Sequence, residues 1–168
     1  MLKSIRGAEN KFEIDSVKIR ETDVDDVSGE SLGDLIEKIM TKGARDVSIY
    51  HGITKKGRPT NLVSVICTDD ILDDVIDTLV LETGTLGIRV SDSNRFIVPR
   101  TNHNVSLTLS GQSFQVNYKK SSFKGKTDFK IEFDDLKIIS DAVDKSIKET
   151  EVFLRKEIEK LEINNDLS

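Results

Sequence analysis

A basic turn is the first stretch of this sequence whose residue types and spacing could do chemistry. Three cations, Lys55, Lys56 and Arg58, fall within four positions, and Gly57 is the only neutral residue among them. Strand-like apolar segments lie on both sides, so Gly57 and Pro59 suit the turn of a hairpin. Two ammonium groups and one guanidinium are what an anionic ligand such as a triphosphate requires. The alternative interpretation is a solvated basic hairpin tip.

An acidic cluster follows the first predicted strand. Asp23, Asp25 and Asp26 lie at the end of that strand, and Glu30 falls in the first turn of the next predicted helix. Asp23 or Asp25, together with Glu30, could hold a hard divalent cation such as Mg²⁺ or Mn²⁺, with phosphate oxygens as the remaining ligands. The alternative is an acidic strand end with capping carboxylates.

A turn between the second predicted helix and the following strand carries two hydroxyls. Thr83 and Thr85 alternate with glycines that allow a ligand to approach the backbone, and Arg89 and Arg95 follow with guanidinium forks for phosphate oxygens. An ordinary helix end followed by solvated strand arginines is the alternative. Neither a Walker P-loop nor a Rossmann fingerprint occurs in the sequence. No nucleophile–base pair is recognisable, so the catalytic residues stay unassigned.

The elements that must position these groups follow from hydrophobic periodicity. Residues 14–101 predict the order β-α-β-β-α-β, which is the ferredoxin-like arrangement of an antiparallel sheet with two helices on one face. Residues 102–162 predict a small β3α2 subdomain, in which residues 121–126 form a polar loop. Residues 1–13 are interpreted as a tail or linker, and residues 163–168 as a frayed end. The predicted fold class is therefore α+β.

Composition narrows the classes of function. The formal net charge of −5 argues against general nucleic-acid binding, which needs a basic face. The single cysteine, Cys67, lies in an apolar strand pattern and predicts a buried thiol, and His51 and His103 share no metal-ligand spacing. No apolar run approaches the length of a membrane span and no signal peptide opens the chain, so we expect no membrane partner and a cytoplasmic protein.

Four blocks in this order resemble the C-terminal region of the LarC-type nickel-insertion proteins: residues 21–26, 29–30, 55–59 and 82–89. The resemblance covers about residues 14–160. It implies part of a CTP-dependent nickel chelatase or cyclometallase, a lyase that makes the nickel-pincer nucleotide cofactor of lactate racemase. The metal would be inserted into pyridinium-3,5-bisthiocarboxylic acid mononucleotide.

The resemblance also implies which ligands this region handles. CTP and Mn²⁺ or Mg²⁺ belong to the family's C-terminal part, whereas nickel would be handled by an N-terminal region with a histidine-rich stretch that is missing here. A soft nickel ion favours imidazole or thiolate ligands, which two scattered histidines and one cysteine do not supply. We therefore expect the chain to be a separated nucleotide-binding domain whose partners are CTP, the mononucleotide, the N-terminal portion and further copies of itself in a homo-oligomer.

Two other classes of function stay open from the residues alone. The chain could be a non-catalytic oligomerisation module of ferredoxin-like fold, or a regulatory domain for a small ligand. The nucleotide hypothesis predicts that the basic turn and the acidic cluster converge on one cleft, whereas the alternatives allow them to point in any direction.

Overall fold

The computed structural model describes residues 12–166, which form two compact units. The first unit is Ile14–Ile97, and the second consists mainly of residues 98–166. The chain thus divides four residues before the predicted boundary at residue 101. Most of the predicted tail lies outside the described residues, and its last residue, Glu13, begins the first strand.

The first unit has the predicted ferredoxin-like order of elements, β1-α1-β2-β3-α2-β4. Its sheet has the strand order β2-β3-β1-β4, and β3 runs antiparallel to both of its neighbours. This order confirms the predicted βαββαβ unit. The bounds of the elements are β1 Glu13–Val24, α1 Gly29–Thr41, β2 Asp46–Thr54, β3 Arg58–Cys67, α2 Leu72–Thr83 and β4 Arg89–Ile97.

One face of this sheet packs against both helices. Val63, Val65 and Cys67 alternate along β3 and are fully buried, together with Leu35 of α1 and Leu79 of α2. Burying each aliphatic side chain contributes about 1.5–3 kcal/mol, so this layer holds the helices on the sheet. The prediction that Cys67 is a buried thiol is confirmed, and its burial raises the pKa of the thiol.

The helix ends confirm the capping signals in the sequence. The hydroxyl of Ser28 accepts a hydrogen bond from the backbone N–H of Ser31 at 3.1 Å, which caps α1. Gly84 ends α2 with a left-handed φ of 65°, a conformation that costs glycine little. β1 ends and β3 begins at the same end of the sheet. Because of the connections between strands, α1 begins and α2 ends at that end as well.

A buried arginine interrupts the apolar layer of the first unit. Arg20 lies on β1 opposite Val65, and its side chain is 1% exposed. Its Nη1 donates a hydrogen bond to the carbonyl oxygen of Ile19 at 3.0 Å, while its Nε has no hydrogen-bond partner. Within residues 12–166, no carboxylate forms an ion pair with this guanidinium. Arg20 is therefore a buried charge with little compensation.

The second unit is the predicted β3α2 subdomain. Its strands form an antiparallel meander in the order β5-β6-β7, and two helices supply the other side of its core. Aromatic and aliphatic side chains of alternate strand positions, such as Val116 and Phe129, pack against Ile139 and Leu154 of the helices. The bounds are β5 Arg100–Leu109, β6 Gln112–Phe123, β7 Lys126–Ile131, α3 Phe133–Ala142 and α4 Ile147–Asp166.

Two predictions about the second unit are corrected by its backbone. Residues 121–126 are not a loop, because β6 continues through Phe123 and β7 begins at Lys126. The turn is reduced to Lys124 and Gly125, whose φ angles of 50° and 73° match the tight turns that suit twisted hairpins. Residues 163–166 are not frayed, since α4 continues to Asp166. The last two residues of the chain lie outside the described range.

Within residues 12–166, no helix is both long enough and apolar enough to cross a bilayer.

Candidate functional site

Most of the predicted site residues meet at one end of the four-stranded sheet. There, Nη1 of Arg58 lies 3.9 Å from a carboxylate oxygen of Asp25, and Nη1 of Arg89 donates a hydrogen bond to Asp23 at 2.6 Å. These contacts bring together the end of β1, the start of β3 and the start of β4. We call this region the charged end, and it comprises residues 21–26, 29–30, 55–58 and 85–89.

The basic turn is a tight connection between β2 and β3. Thr54 pairs with Arg58 across the hairpin, and residues Lys55–Gly57 form a single 3₁₀ turn. The predicted positive φ of Gly57 is confirmed at 70°, and Lys56 also has a positive φ, 62°. A left-handed conformation costs a lysine about 1–2 kcal/mol. The conformation presents both lysine side chains to solvent, and neither has an ion-pair partner among residues 12–166.

The acidic cluster is divided between two arginines. Besides the hydrogen bond to Asp23, Arg89 has its Nε 3.7 Å from Glu21, and these carboxylates, Asp23 first, raise the pKa of the guanidinium. Among the described residues, the ion-pair contact of Asp25 is the long one with Arg58. The exposed carboxylates of Asp26 and Glu30 have no ion-pair partner in the part of the chain that the structure describes.

These carboxylates fit a limited role in metal binding. Across residues 12–166, no three or more His, Cys, Asp or Glu side chains are grouped as a metal site would need. Mg²⁺ and Mn²⁺ bound to a nucleotide take only one or two protein carboxylates, because phosphate and water oxygens complete the coordination. The charged end can supply that number from Asp25, Asp26 and Glu30.

The two threonines of the α2–β4 turn stabilise the turn itself. The hydroxyl of Thr83 donates to the carbonyl of Leu79 at 2.6 Å. The hydroxyl of Thr85 lies 2.5 Å from the hydroxyl of Thr22, which donates to the carbonyl of Gly87 at 2.9 Å. Both hydroxyls therefore make contacts within the protein, and these contacts hold the turn that leads to Arg89 at the start of β4. Their contact with a ligand stays a prediction.

Thr22 is a positioning residue that the sequence analysis missed. It is fully buried on β1. Its neighbours Glu21 and Asp23 point to the opposite face of the sheet. A hydroxyl at a core-facing position of a strand was the available signal, since a buried hydroxyl needs a partner.

Replacing Thr22 by valine tests this role. We expect the free energy of unfolding to fall by about 1 kcal/mol, because one buried hydrogen bond to the Gly87 carbonyl is lost. The measurement is urea unfolding followed by circular dichroism. The control is Thr22→Ser, which keeps the hydroxyl; equal stability of the valine variant and the wild type would contradict the role.

Arg95 lies apart from the other predicted residues. Its Nε and Nη2 donate to the two carboxylate oxygens of Asp15 at 2.9 and 2.5 Å, near the opposite end of β1. Arg45 lies 3.7 Å from the same carboxylate. The hydrogen bond from Arg95 is the main reason why the pKa of Asp15 lies below its usual value. The structure therefore separates Arg95 from the charged end and gives it a role in joining β1 to β4.

Fold and site together define a ferredoxin-like α+β domain that gathers cations and carboxylates at one end of its sheet. A family model described as nickel insertion protein matches residues 1–151. The chain belongs to the nickel insertion protein family, which confirms the family inferred from the four sequence blocks.

Curated relatives agree with this assignment. A "putative nickel insertion protein" of Methanosarcina acetivorans is 36% identical over 131 residues, which are 76% of this chain and 33% of the relative. A relative of the same description from Methanothermobacter thermautotrophicus is 40% identical over 90 residues, 54% of this chain and 22% of the relative. The chain thus spans about a third or less of the length of these relatives.

Two solved structures share the fold. LarC2, the C-terminal domain of a cyclometallase involved in the synthesis of the NPN cofactor of lactate racemase, aligns with a TM-score of 0.73 and 23% identity. The alignment covers 87% of this chain and 97% of LarC2. A protein of Methanopyrus kandleri AV19 aligns with a TM-score of 0.60 and 24% identity, over 82% of this chain and 85% of that protein.

Proposed function

We propose that this chain is the CTP- and divalent-metal-binding part of a nickel chelatase or cyclometallase. The whole enzyme would insert Ni²⁺ into pyridinium-3,5-bisthiocarboxylic acid mononucleotide to form the nickel-pincer cofactor of lactate racemase. The observation that carries the proposal is the convergence of the basic turn and the acidic cluster on one end of the sheet, shown by the Arg58–Asp25 and Arg89–Asp23 contacts. Family membership supports a role in nickel insertion, and the nucleotide is taken from the resemblance of the four sequence blocks.

The basic turn supplies the charge that a triphosphate needs. A triphosphate carries roughly four negative charges near neutral pH, and each charged hydrogen bond to it contributes about 1.5–3 kcal/mol. Lys55 and Lys56 are exposed, and Arg58 is 60% exposed with a single loose contact. All three can turn toward phosphate oxygens without breaking a strong interaction, so their role is to bind and orient the triphosphate.

The acidic cluster would hold the metal ion that accompanies the triphosphate. When bound, Mn²⁺ or Mg²⁺ supplies neutralisation of the phosphate charge. Asp25, Asp26 and Glu30 are the residues of this chain that would bind it. Asp25 would have a second effect. If its carboxylate held a cation, its contact with Arg58 would be released and Arg58 would be available to the phosphates.

Nickel, the proposed cargo of the reaction, finds no suitable ligands at the charged end. Within residues 12–166 the soft-ligand candidates are one buried thiol, Cys67, and two histidines on different units, His51 and His103. Nickel favours imidazole and thiolate groups. We therefore assign nickel binding to another part of the whole protein and nucleotide binding to this part.

The proposal is tested by calorimetric titration of the purified chain with CTP, and with ATP as the control nucleotide, each with and without Mn²⁺. We expect CTP to bind in the presence of Mn²⁺ more tightly than in its absence, and more tightly than ATP. Binding that is equal for both nucleotides would contradict the CTP assignment. Absence of binding to either would overturn the placement of the nucleotide site in this chain.

Oligomerisation is the second candidate function, and one surface favours it. Leu62 and Ile66 of β3 alternate with the buried core positions, so they lie on the sheet face opposite the helices, beside Tyr50, which is 58% exposed. Apolar groups on an open sheet face can pack against another copy. The native mass from sedimentation equilibrium tests this candidate, and a monomer at all concentrations would remove it.

A further inference from the structure

The three-stranded sheet of the second unit has one face that is polar at every position except Phe123. Its aromatic side chains Phe114, Tyr118 and Phe129 belong to the core under α3 and α4. The alternate positions carry amides, hydroxyls and cations instead, as in the β5 series Arg100, Asn102, Asn104, Ser106 and Thr108. Any ligand on this open face must be recognised through charge and hydrogen bonds.

Charge is strongly divided within this unit. Residues 98–131, which contain the sheet, have six Lys or Arg residues and one acidic residue. Residues 132–166, which contain the helices, have six Lys or Arg residues and eleven acidic residues. Part of the charge of the sheet is compensated by ion pairs with the helical segment, such as Lys119 with Glu132 and Lys120 with Glu162. Arg100, Lys126 and Lys130 are exposed.

The uncompensated cations share one end of the open face. The register places Lys119 directly opposite Lys130, and it places Arg100 opposite Ser121, which is two residues from Lys119 on the same strand. Like charges on directly opposite residues destabilise a sheet. Glu132 neutralises Lys119 at 2.5 Å, but Arg100 and Lys130 have no ion-pair partner within residues 12–166. An anion at this end of the face would compensate Arg100 and Lys130.

Hydrogen-bond donors lie next to these cations. Elsewhere on the open face, side chains form hydrogen bonds with one another. Asn104 donates to Asn117 at 2.9 Å, and the hydroxyls of Ser106 and Ser113 lie 3.0 Å apart. Asn102 and Ser121, which stand opposite Lys119 and Arg100, have no side-chain hydrogen bond in the described part of the chain. The nearby carboxylate of Asp128 is held by Arg155 at 2.7 Å.

We propose that Arg100, Asn102, Lys119, Ser121 and Lys130 form a binding site for a phosphate-type anion. Two cations without partners, a third cation and two neutral donors match the needs of phosphate oxygens. The open face carries one aromatic side chain, Phe123, whose ring lies beside Phe12 and Lys124. Single-stranded nucleic acid stacks on successive aromatic side chains, so the ligand is a small phosphorylated molecule or free phosphate. The site lies wholly within the second unit and is independent of the charged end.

The test is an amide chemical-shift titration of the full chain with inorganic phosphate, at constant ionic strength. We expect saturable shifts centred on Asn102, Ser121 and Lys130. The double variant Arg100→Met/Lys130→Met should weaken binding by about tenfold or more, because two charged hydrogen bonds are lost. The control Lys137→Met/Lys156→Met removes the same charge from exposed helix positions and should leave the shifts unchanged.

Further arms identify the source of the phosphate group and exclude the other site. Tighter binding of glycerol 3-phosphate than of inorganic phosphate would support an organic phosphate ligand, and the reverse order would support free phosphate. The Arg58→Ala variant should keep the shifts, which separates this site from the triphosphate site. Shifts that never saturate, or that fall equally in both double variants, would overturn the proposal.

Discussion

Replacing Arg58 by alanine is expected to weaken CTP binding in the presence of Mn²⁺ by about tenfold to a hundredfold, because one charged hydrogen bond to the triphosphate is lost. The midpoint of thermal unfolding should hardly change. The Arg58 side chain is 60% exposed, and within residues 12–166 its only ion pair is the 3.9 Å contact with Asp25. Exposed contacts of this kind contribute little to stability. Calorimetric titration and thermal unfolding of the same preparation measure both quantities.

The matched control for Arg58 is Lys42→Ala. Lys42 caps the other end of α1 and is exposed, so this variant removes one positive charge without touching the charged end. Its affinity for CTP should equal that of the wild type. If both variants lose affinity equally, the effect is one of net charge. A variant at Arg58 that unfolds at a much lower temperature would show instead that the basic turn serves the fold.

Replacing Arg20 by methionine is expected to stabilise the protein by about 1–4 kcal/mol. This is the range found when a buried ion pair is replaced by apolar side chains, and Arg20 has no ion pair among residues 12–166 whose attraction would be lost. Arg20 is 1% exposed. Among the described residues its Nε has no hydrogen-bond partner, and its Nη1 donates to the adjacent carbonyl of Ile19. Methionine has similar length and no charge to desolvate. The measurement is the urea midpoint, with an unchanged dependence on urea concentration.

Arg20→Lys is the control for this prediction. It keeps the buried charge and removes donors, so we expect no gain in stability. A loss of more than about 1 kcal/mol in the methionine variant would contradict the expectation, because it would mean that the guanidinium gains more from its surroundings than its desolvation costs.

The order of elements could be predicted because the signals for it are local. Leu32, Leu35 and Ile39 follow helical spacing, Ser28 is a recognisable cap, and Gly84 supplies the left-handed residue that ends α2. The strand after residue 121 was missed for a local reason as well. Serines and lysines suggest a loop. In the structure they lie in a β-hairpin whose turn has only two residues, one of them Gly125.

The site could be predicted only in part because its contacts join distant residues. Asp25 and Arg58 were expected to converge, and the split βαβ order brings them together. The pairing of Arg95 with Asp15 spans 80 residues, and that of Thr85 with Thr22 spans 63. Neither pairing can be inferred from spacing. An arginine or threonine near the site in sequence gives the same sequence pattern whether its side chain faces a ligand or another strand. The backbone strain at Lys56 had no signal in the sequence either.

The two tight hairpins of the second unit have a kinetic consequence. The side chains of Ser106 and Ser113 meet across only 7 residues of chain, whereas Thr60 of the first unit must find the Val24 carbonyl 36 residues away. Closing a longer loop costs more entropy before any contact compensates for it, and domains rich in distant contacts fold more slowly. The β5–β6–β7 meander should therefore form earliest. Transient exposure of strand edges should be concentrated in the ferredoxin-like unit, where β1 must pair with β3 and β4, which are distant from it in sequence.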